Sequence, residues 1–235
     1  MSDQPSAATV AFLGPAGTYS HAAAIKLFPE ITRWLPVADI QEVFSAVECG
    51  KAHWGVVPVE NSSEGSVLPT LDGFVQSQLC ICAELLLRIE HCLIATEATV
   101  VSGIKTIASH QQSLGQCRQW LKQHYPDLEQ MPVSSNAEAA RMAAITEGLA
   151  AIAGKTAASL YGLNLLQESI EDAQDNTTRF LVIGNCAASK PTGKDKTSII
   201  ILAHNEPGTL FRALEPFHRF GISLTKLESR PSRKA

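Results

Sequence analysis

Four short polar stretches hold most of the side chains that could do chemistry in this sequence: GPAGTYSH at residues 14–21, PVENSSEGSV at 58–67, SHQQSLGQ at 109–116 and DNTTRF at 175–180. The first sets glycines and hydroxyls at a helix start, where unpaired N–H groups attract an anion. The second offers Asn61, Ser62, Ser63 and Ser66 near another helix start, and neither contains a lysine or arginine. The chemistry implied is the grip of a small carboxylate-bearing molecule by N–H and O–H donors, with Arg179 as counter-charge. The plainer reading of any one cluster is that its serines, threonines and asparagines cap helices and turn the chain. His21 and His110 are not spaced as a metal pair or as the base of a nucleophile. Glu60 and Glu64 are four apart but lie in a loop, where that spacing places nothing, so paired-carboxylate chemistry draws little support.

The clusters matter together only if the elements around them converge. Residues 9–13 read as a buried strand ending in a glycine-proline turn, and residues 20–28 as a helix opened by Thr18 or Ser20. Asp39 with Glu42 three residues on makes a capping box for a helix whose apolar face is Ile40, Val43, Phe44 and Val47, closed by Gly50. Strands are expected at 54–59, along a long stretch from 79 to 96, at 104–109, 150–153 and 179–183, with 133–135 short and extended. Helices are expected at 66–77, around Leu114, Cys117 and Leu121, from Asn136 through 147, and at 156–161. Such alternation predicts an α/β protein with largely parallel sheets, whose ligands bind outside the carboxyl ends of the strands. All four clusters lie at strand ends.

Composition narrows the classes further. With 45% hydrophobic and 18% charged residues over 235 positions, the chain can bury a real core in one large or two smaller domains. A net charge of −4 does not favour nucleic acid or a lipid surface as partner. No apolar run approaches the roughly 20 residues of a membrane helix, and residues 1–10 lack the basic-then-apolar pattern of a secretory signal; a cytoplasmic protein is expected. Cys49, Cys80, Cys82, Cys92, Cys117 and Cys186 show no zinc-like spacing and are expected to be buried, inert thiols. Residues 187–196, AASKPTGKDK, read as a linker. A short β-α-β run follows, with strands at 198–203 and 222–228 around a helix at 208–220.

The motifs GPAGTYSHAAA, PVENSSEGSV and above all TTRF resemble those of prephenate dehydratase, and EPGTLFRAL (206–214) with LESRP (227–231) resembles an ACT regulatory domain. The resemblance runs in order over nearly the whole chain from Thr9. It implies a two-lobed, periplasmic-binding-protein-like (type II) α/β catalytic domain over 8–186 with its active site in the cleft. Lobe one would be about 8–85 with 168–186, and lobe two about 86–167. It implies the conversion of prephenate to phenylpyruvate in phenylalanine biosynthesis, without metal or organic cofactor. Thr178 takes the catalytic position, while Thr18, Asn61, Ser62, Ser109, Gln116, Arg179 and Phe180 match positions expected to bind substrate. Arogenate dehydratase and a non-catalytic carboxylate-binding protein are the alternatives.

For residues 197–235 the resemblance implies a ferredoxin-like ACT unit that binds L-phenylalanine between the subunits of a homodimer or homotetramer. Pro207, Gly208, Thr209, Leu210, Glu228, Ser229, Arg230 and Pro231 match its effector loop and ESRP motif. An ACT domain is β-α-β-β-α-β, and the sequence stops after the first half of that pattern, so phenylalanine control is expected to be weak or absent.

Overall fold

One strand joins the two ends of the main unit. The strand Thr177–Gly184 (β11 in chain order) arrives late in the sequence, yet it lies inside a sheet otherwise built from the first 90 residues. The structure is a computed structural model that describes residues 8–99, 101–185, 193, 195–204 and 206–230. It divides into two units, Met1–Ala187 and Ala188–Ala235.

The first unit runs β1 (Thr9–Leu13), α1 (Tyr19–Leu27), β2 (Arg33–Val37), α2 (Ile40–Glu48), β3 (Trp54–Asn61), β4 (Gly65–Ser66), α3 (Leu68–Gln76) and β5 (Cys80–Arg88). It continues with β6 (Cys92–Ala95), β7 (Thr106–His110), α4 (Gln111–Gln116), α5 (Arg118–His124), β8 (Glu129–Val133) and α6 (Asn136–Ala143). Last come β9 (Leu149–Ala153), α7 (Lys155–Tyr161), β10 (Asn164–Gln167) and β11 (Thr177–Gly184). Two sheets result, ordered β2-β1-β3-β11-β5, with β4 on β3, and β10-β6-β9-β7-β8. The α/β, two-lobed architecture is therefore present, one sheet to each lobe.

The sheets are mixed, which corrects the expectation of largely parallel pairing. β1 runs parallel to β2 and β3, and β7 to β8 and β9. β11 is antiparallel to β3 and β5, and β6 to β9 and β10. The antiparallel strands flank the two places where the chain passes between sheets. A strand that enters from the other lobe is not bound by the helical crossover that makes neighbours parallel. The stretch 79–96 is accordingly two strands in different sheets, parted at residues 89–91. β2 and β10 form where no strand was expected. β2 carries Pro36 and β8 carries Pro132, and both are edge strands, where a missing N–H interrupts no ladder.

Period-two alternation sends each strand's side chains to two cores. Along β11, Phe180 and Val182 pack with Val10, Phe12, Ala23 and Val56, while Leu181 and Ile183 pack with Val43, Phe44, Val47 and Val57. In the second sheet Ile152 and Ala150 join Ile107, Leu114 and Leu121, whereas Ala151 and Ala153 face the alanines of α6. The N-cap of α6 is Ser135 rather than Asn136, with its hydroxyl accepting from Glu138 N, and the helix ends at Ala143. Asp39 caps α2 by accepting from Glu42 N at 2.8 Å, while the Glu42 carboxylate reaches back to Ala38 N at 2.9 Å.

The cysteines divide. Cys92 and Cys117 are buried, but Cys49 and Cys80 are exposed at a helix end and on the edge strand β5. Cys82 is disulfide-bonded. The expectation of buried, inert thiols is corrected at these three positions, and Cys186 lies outside the described residues.

In the second unit α8 (Thr209–Arg219) is the one regular element among the described residues, and none of its residues is buried. The strands expected at 198–203 and 222–228 do not form there. A strand exists only through its hydrogen-bonded neighbours, and Ile199, Ile201, Leu202, Phe211 and Leu227 stay exposed. Most of the expected linker lies outside the described residues. No described helix is long and apolar enough to cross a membrane.

Candidate active site at the crossing between the sheets

The cluster at 58–67 is the end of β3 and its return. β4 pairs back onto Glu60 and Asn61, and Gly65 takes the positive φ of 81° that the turn requires. The Asn61 carbonyl Oδ1 closes this turn by accepting from Ser63 N at 2.9 Å and Glu64 N at 3.1 Å. That fixes the orientation of the amide, so its Nδ2 hydrogens point the other way. One goes to Asn176 Oδ1 and the other to Thr178 Oγ1, both at 2.8 Å. Asn61 and Thr178 are direct partners in the β3–β11 ladder. Ser62 completes the joint: its hydroxyl accepts from Thr177 N at 3.0 Å, and its own N–H donates to Thr177 O at 2.9 Å.

Thr178 is thus buried, with its oxygen already accepting a hydrogen bond. No described acceptor takes its own hydroxyl hydrogen. A hydroxyl that accepts from an amide becomes a better donor, because hydrogen bonds in a chain polarise one another.

From Asn176 the network passes to the second lobe. Asn176 Nδ2 donates to Gln116 Oε1 at 3.2 Å, and the same oxygen meets His91 Nε2 at 2.8 Å. The Gln116 side-chain nitrogen keeps both hydrogens free of any described partner. Gln116 lines a cavity of about 110 Å³ with Ser63, Gly115, Glu171, Asp172, Ala173 and Asn176. Glu171, almost wholly buried, accepts from His91 N at 2.9 Å and pairs with Arg88 Nη2 at 3.2 Å. Asp172 caps α5 from across the crossing, taking Gln119 N and Trp120 N at 2.9 and 3.1 Å. Burial lowers the pKa of His91 and raises that of Tyr19 well above the usual phenol range, so the imidazole stays neutral and the phenol protonated near neutral pH. The Cys92 thiol is pushed up to about 11 and that of Cys117 higher still, also by burial, which leaves both inert as nucleophiles. Among the described residues no His, Cys, Asp and Glu cluster could hold a metal ion.

Asn61, Ser62, Gln116 and Thr178 come together, but the other sequence-derived candidates do not join them. The Thr18 hydroxyl caps α1, accepting from His21 N at 3.3 Å and donating to Leu13 O at 3.0 Å. Ser109 is fully buried and donates to Ile152 O at 2.7 Å. Arg179, cast as the counter-charge, is paired with Glu84 across the β11–β5 ladder at 2.6 Å. Phe180 belongs to the core. His21 stacks on Phe12 with centroids 4.6 Å apart and accepts from Gly17 N. Burial lowers its pKa.

The reading by clusters missed Tyr19, Arg88, His91 and Glu171 as members of this network, and passed over Asn176 inside its own motif. A sign was present at Ile89-Glu90-His91-Cys92, where two titratable residues interrupt an otherwise apolar run.

Within the second unit, Gly208 has φ of +80° and starts α8, while Arg212 holds the loop through Pro207 O at 3.3 Å and Thr209 Oγ1 at 3.0 Å. Leu210 is exposed, and Glu228 pairs with Lys226 at 3.7 Å. Ser229 and Arg230 are exposed, and Pro231 lies outside the described residues.

Comparison with known proteins gives a consistent picture. Residues 10–188 match the family model for prephenate dehydratase, and residues 197–235 that for the ACT domain. A bifunctional chorismate mutase/prephenate dehydratase of Pseudomonas aeruginosa is 53% identical over 224 residues, covering 95% of this chain, which spans 61% of that relative's length. A prephenate dehydratase of Corynebacterium glutamicum is 39% identical, covering all of this chain and 76% of its own. Among solved structures, a prephenate dehydratase from Arthrobacter aurescens in complex with L-Phe superposes with a TM-score of 0.86 at 36% identity, covering 95% of this chain and 76% of that one. A protein described as a novel type of quorum quenching acylase superposes with a TM-score of 0.82 at 27% identity, covering 97% and 83%.

Proposed function

The chain belongs to the prephenate dehydratase family, and we propose that it catalyses the decarboxylating dehydration of prephenate to phenylpyruvate. In this reaction the ring carboxylate leaves as carbon dioxide, and the electron pair of its carbon–carbon bond enters the ring. The ring hydroxyl departs with its own bonding pair and one proton, as water. Aromatisation drives the change, so the protein's main task is to help the hydroxyl go.

The observation that carries the reading is the unspent hydrogen of Thr178. Its oxygen is held by Asn61, and the hydrogen is the group that can meet the departing oxygen. Such assistance contributes about 10²–10⁴-fold. A threonine is too weak an acid to give up its proton for good near neutral pH, so Thr178 positions and relays a proton whose source is water or a neighbouring carboxyl. The free amide hydrogens of Gln116 suit a substrate carboxylate. Arg88 lies opposite Thr177 in the β11–β5 ladder and bonds the cavity-lining Glu171, as Arg179 bonds Glu84. The cavity of about 110 Å³ is small beside the roughly 300–1,000 Å³ of ligand pockets, so the lobes part to admit substrate.

On this reading residues 8–186 form the catalytic part, 187–196 the linker and 197–235 the ACT part. An effector role for L-phenylalanine, as the Arthrobacter complex suggests, would fall to 206–214 and 227–230, in a homodimer or homotetramer. An acylase needs an activated nucleophile, and the hydroxyls of Ser62, Ser109 and Thr178 bond no histidine ring. The test is phenylpyruvate formation by the purified chain from prephenate, with arogenate in parallel and L-phenylalanine added in a third series. Turnover of prephenate is expected. A folded protein that turns over neither substrate would overturn the proposal, and faster turnover of arogenate would reassign it.

A further inference from the structure

The cluster GPAGTYSH gave nothing to the joint around Thr178, yet its turn is a place where the first lobe touches the second away from the passages of the chain. Gly17 has φ of +93°, a conformation that residues with a Cβ rarely adopt. A Cβ built on it would also stand 3.4 Å from Ala137 Cβ, 3.4 Å from Ala157 Cα and 3.3 Å from Tyr161 Cε2, all of the second lobe. Glycine is therefore required twice, for the bend and for the approach. Tyr161 ends α7 and donates its hydroxyl to Ala16 O at 3.3 Å, across 145 positions of sequence.

Each side of this contact is fixed from within its own lobe. Gly14 N donates to Val37 O at 2.8 Å, and Gly17 N donates to His21 Nδ1 at 3.1 Å. The His21 ring is itself held by stacking on Phe12. On the other side Ala137 opens α6 and Ala157 lies in α7, whose alanines pack against the second sheet. Among the described residues one hydrogen bond crosses the seat, that of Tyr161 to Ala16, and the rest of it is glycine and alanine. Surfaces that part need their polar groups satisfied on their own side, because a buried group left unpaired costs as much as the contact gains. Parting here frees one carbonyl and one phenol, and water can take both.

We infer that the turn at 14–17 is a clasp: it sits between Ala137, Ala157 and Tyr161 when the lobes are closed and leaves that seat when they part to admit substrate. This rests on the reading that the cavity of about 110 Å³ belongs to a closed form, which must open for prephenate. The clasp touches no reacting atom. It sets the balance between open and closed forms, and so the cost of closing over a bound substrate. A weakened seat makes closure harder, and the substrate complex then forms and reacts less well. A covalent bond across the seat does the reverse and keeps substrate out.

Variants of the full chain test this. A Gly17 Cβ would stand 3.4 Å from Ala137 Cβ, near the roughly 3.5–4.5 Å found in disulfides. The Gly17→Cys, Ala137→Cys double variant, oxidised and with its bridge identified by peptide mass, should lose nearly all turnover of prephenate and regain it on reduction. The unmodified chain taken through the same steps controls for the disulfide at Cys82. Ala137→Leu asks for no positive φ and overfills the seat, so it should lower kcat/KM about tenfold to a hundredfold. In small-angle X-ray scattering it should be more extended than the bridged double variant. Tyr161→Phe should lower kcat/KM about threefold to tenfold, and should cost nothing more when added to Ala137→Leu, since changes acting through one seat are not additive. Full turnover by the bridged chain would overturn the inference, and so would equal dimensions of the bridged and Ala137→Leu chains. A Tyr161→Phe effect that persists in full on the Ala137→Leu background would also overturn it, which decides the matter even where the double variant does not fold. Absence of prephenate turnover in every form would instead strike the proposed function, and the scattering would still read the clasp.

Discussion

Thr18 and Thr178 are the same side chain in similar settings. Both stand in polar clusters of the first lobe, one after a strand and one within a strand of the same sheet, and both hydroxyls accept a hydrogen bond. They differ in what is left over. Thr18 gives its hydrogen to Leu13 O and takes one from His21 N, so its bonding capacity is used up in holding α1 to β1. Thr178 takes one from Asn61 and gives its own hydrogen to no described acceptor. A cap closes its own bonds, whereas a site keeps one open at a cost that the surrounding network bears. The same division separates Gln116, whose NH₂ meets no described partner, from Ser109, whose hydrogen is committed to Ile152 O.

The widest test of this division is Thr178→Ala, which should lower kcat about 10²–10⁴-fold, about 3–5 kcal/mol of barrier, with KM within a few-fold. Thr178→Ser should recover most of the rate. Initial rates on prephenate decide it, and an active alanine variant would dissolve the contrast. Next in size is Phe180→Ala, two residues along the same strand but wholly inside the core. It should cost about 3–5 kcal/mol of stability in urea unfolding while leaving KM unchanged. A raised KM in the folded variant would return Phe180 to the site. Thr18→Ala should lose about 1 kcal/mol, the usual value of an N-cap, and keep kcat; a collapse of turnover with intact stability would place Thr18 among the open donors after all. Smallest is Phe211→Ser on exposed α8, expected to change the unfolding free energy of the main unit by no more than about 0.5 kcal/mol. A larger shift would show that this side chain is covered in solution.

Much of the first unit was legible because its signals are local. The Asp39–Glu42 pair, the apolar face of α2 and the strand at 179–183 each depend on neighbours within a few residues, and each formed where expected. The joint of Asn61, Asn176 and Thr178 was legible only as two separate polar motifs, since 115 positions separate Asn61 from Asn176. No spacing rule reports a contact of that range. The resemblance to the family supplied Thr178 and Gln116, but not which hydroxyl had a hydrogen to spare. Arg179 shows the limit from the other side. A guanidinium next to the key threonine invites a role in binding, yet successive residues of a strand point to opposite faces, and Glu84 was already there to meet it. The strands expected at 198–203 and 222–228 had the right residue types but no neighbour to pair with among the described residues.

The place of β11 in its sheet also sets a timetable. β3 and β5 flank it, so β3 lacks one neighbour and β5 its only one until Thr177–Gly184 has been made. The ribosome adds about 5–20 residues per second, so after β5 emerges the gap stays open for roughly 5–20 s. During that interval the second lobe, contiguous in sequence, can finish its own sheet. The first lobe meanwhile carries two unpaired edges rich in valine and leucine, the kind of surface that recruits other chains. The strand that carries Thr178 is therefore also the one whose late arrival completes the first sheet, and the joint of Asn61, Asn176 and Thr178 is assembled in the same event.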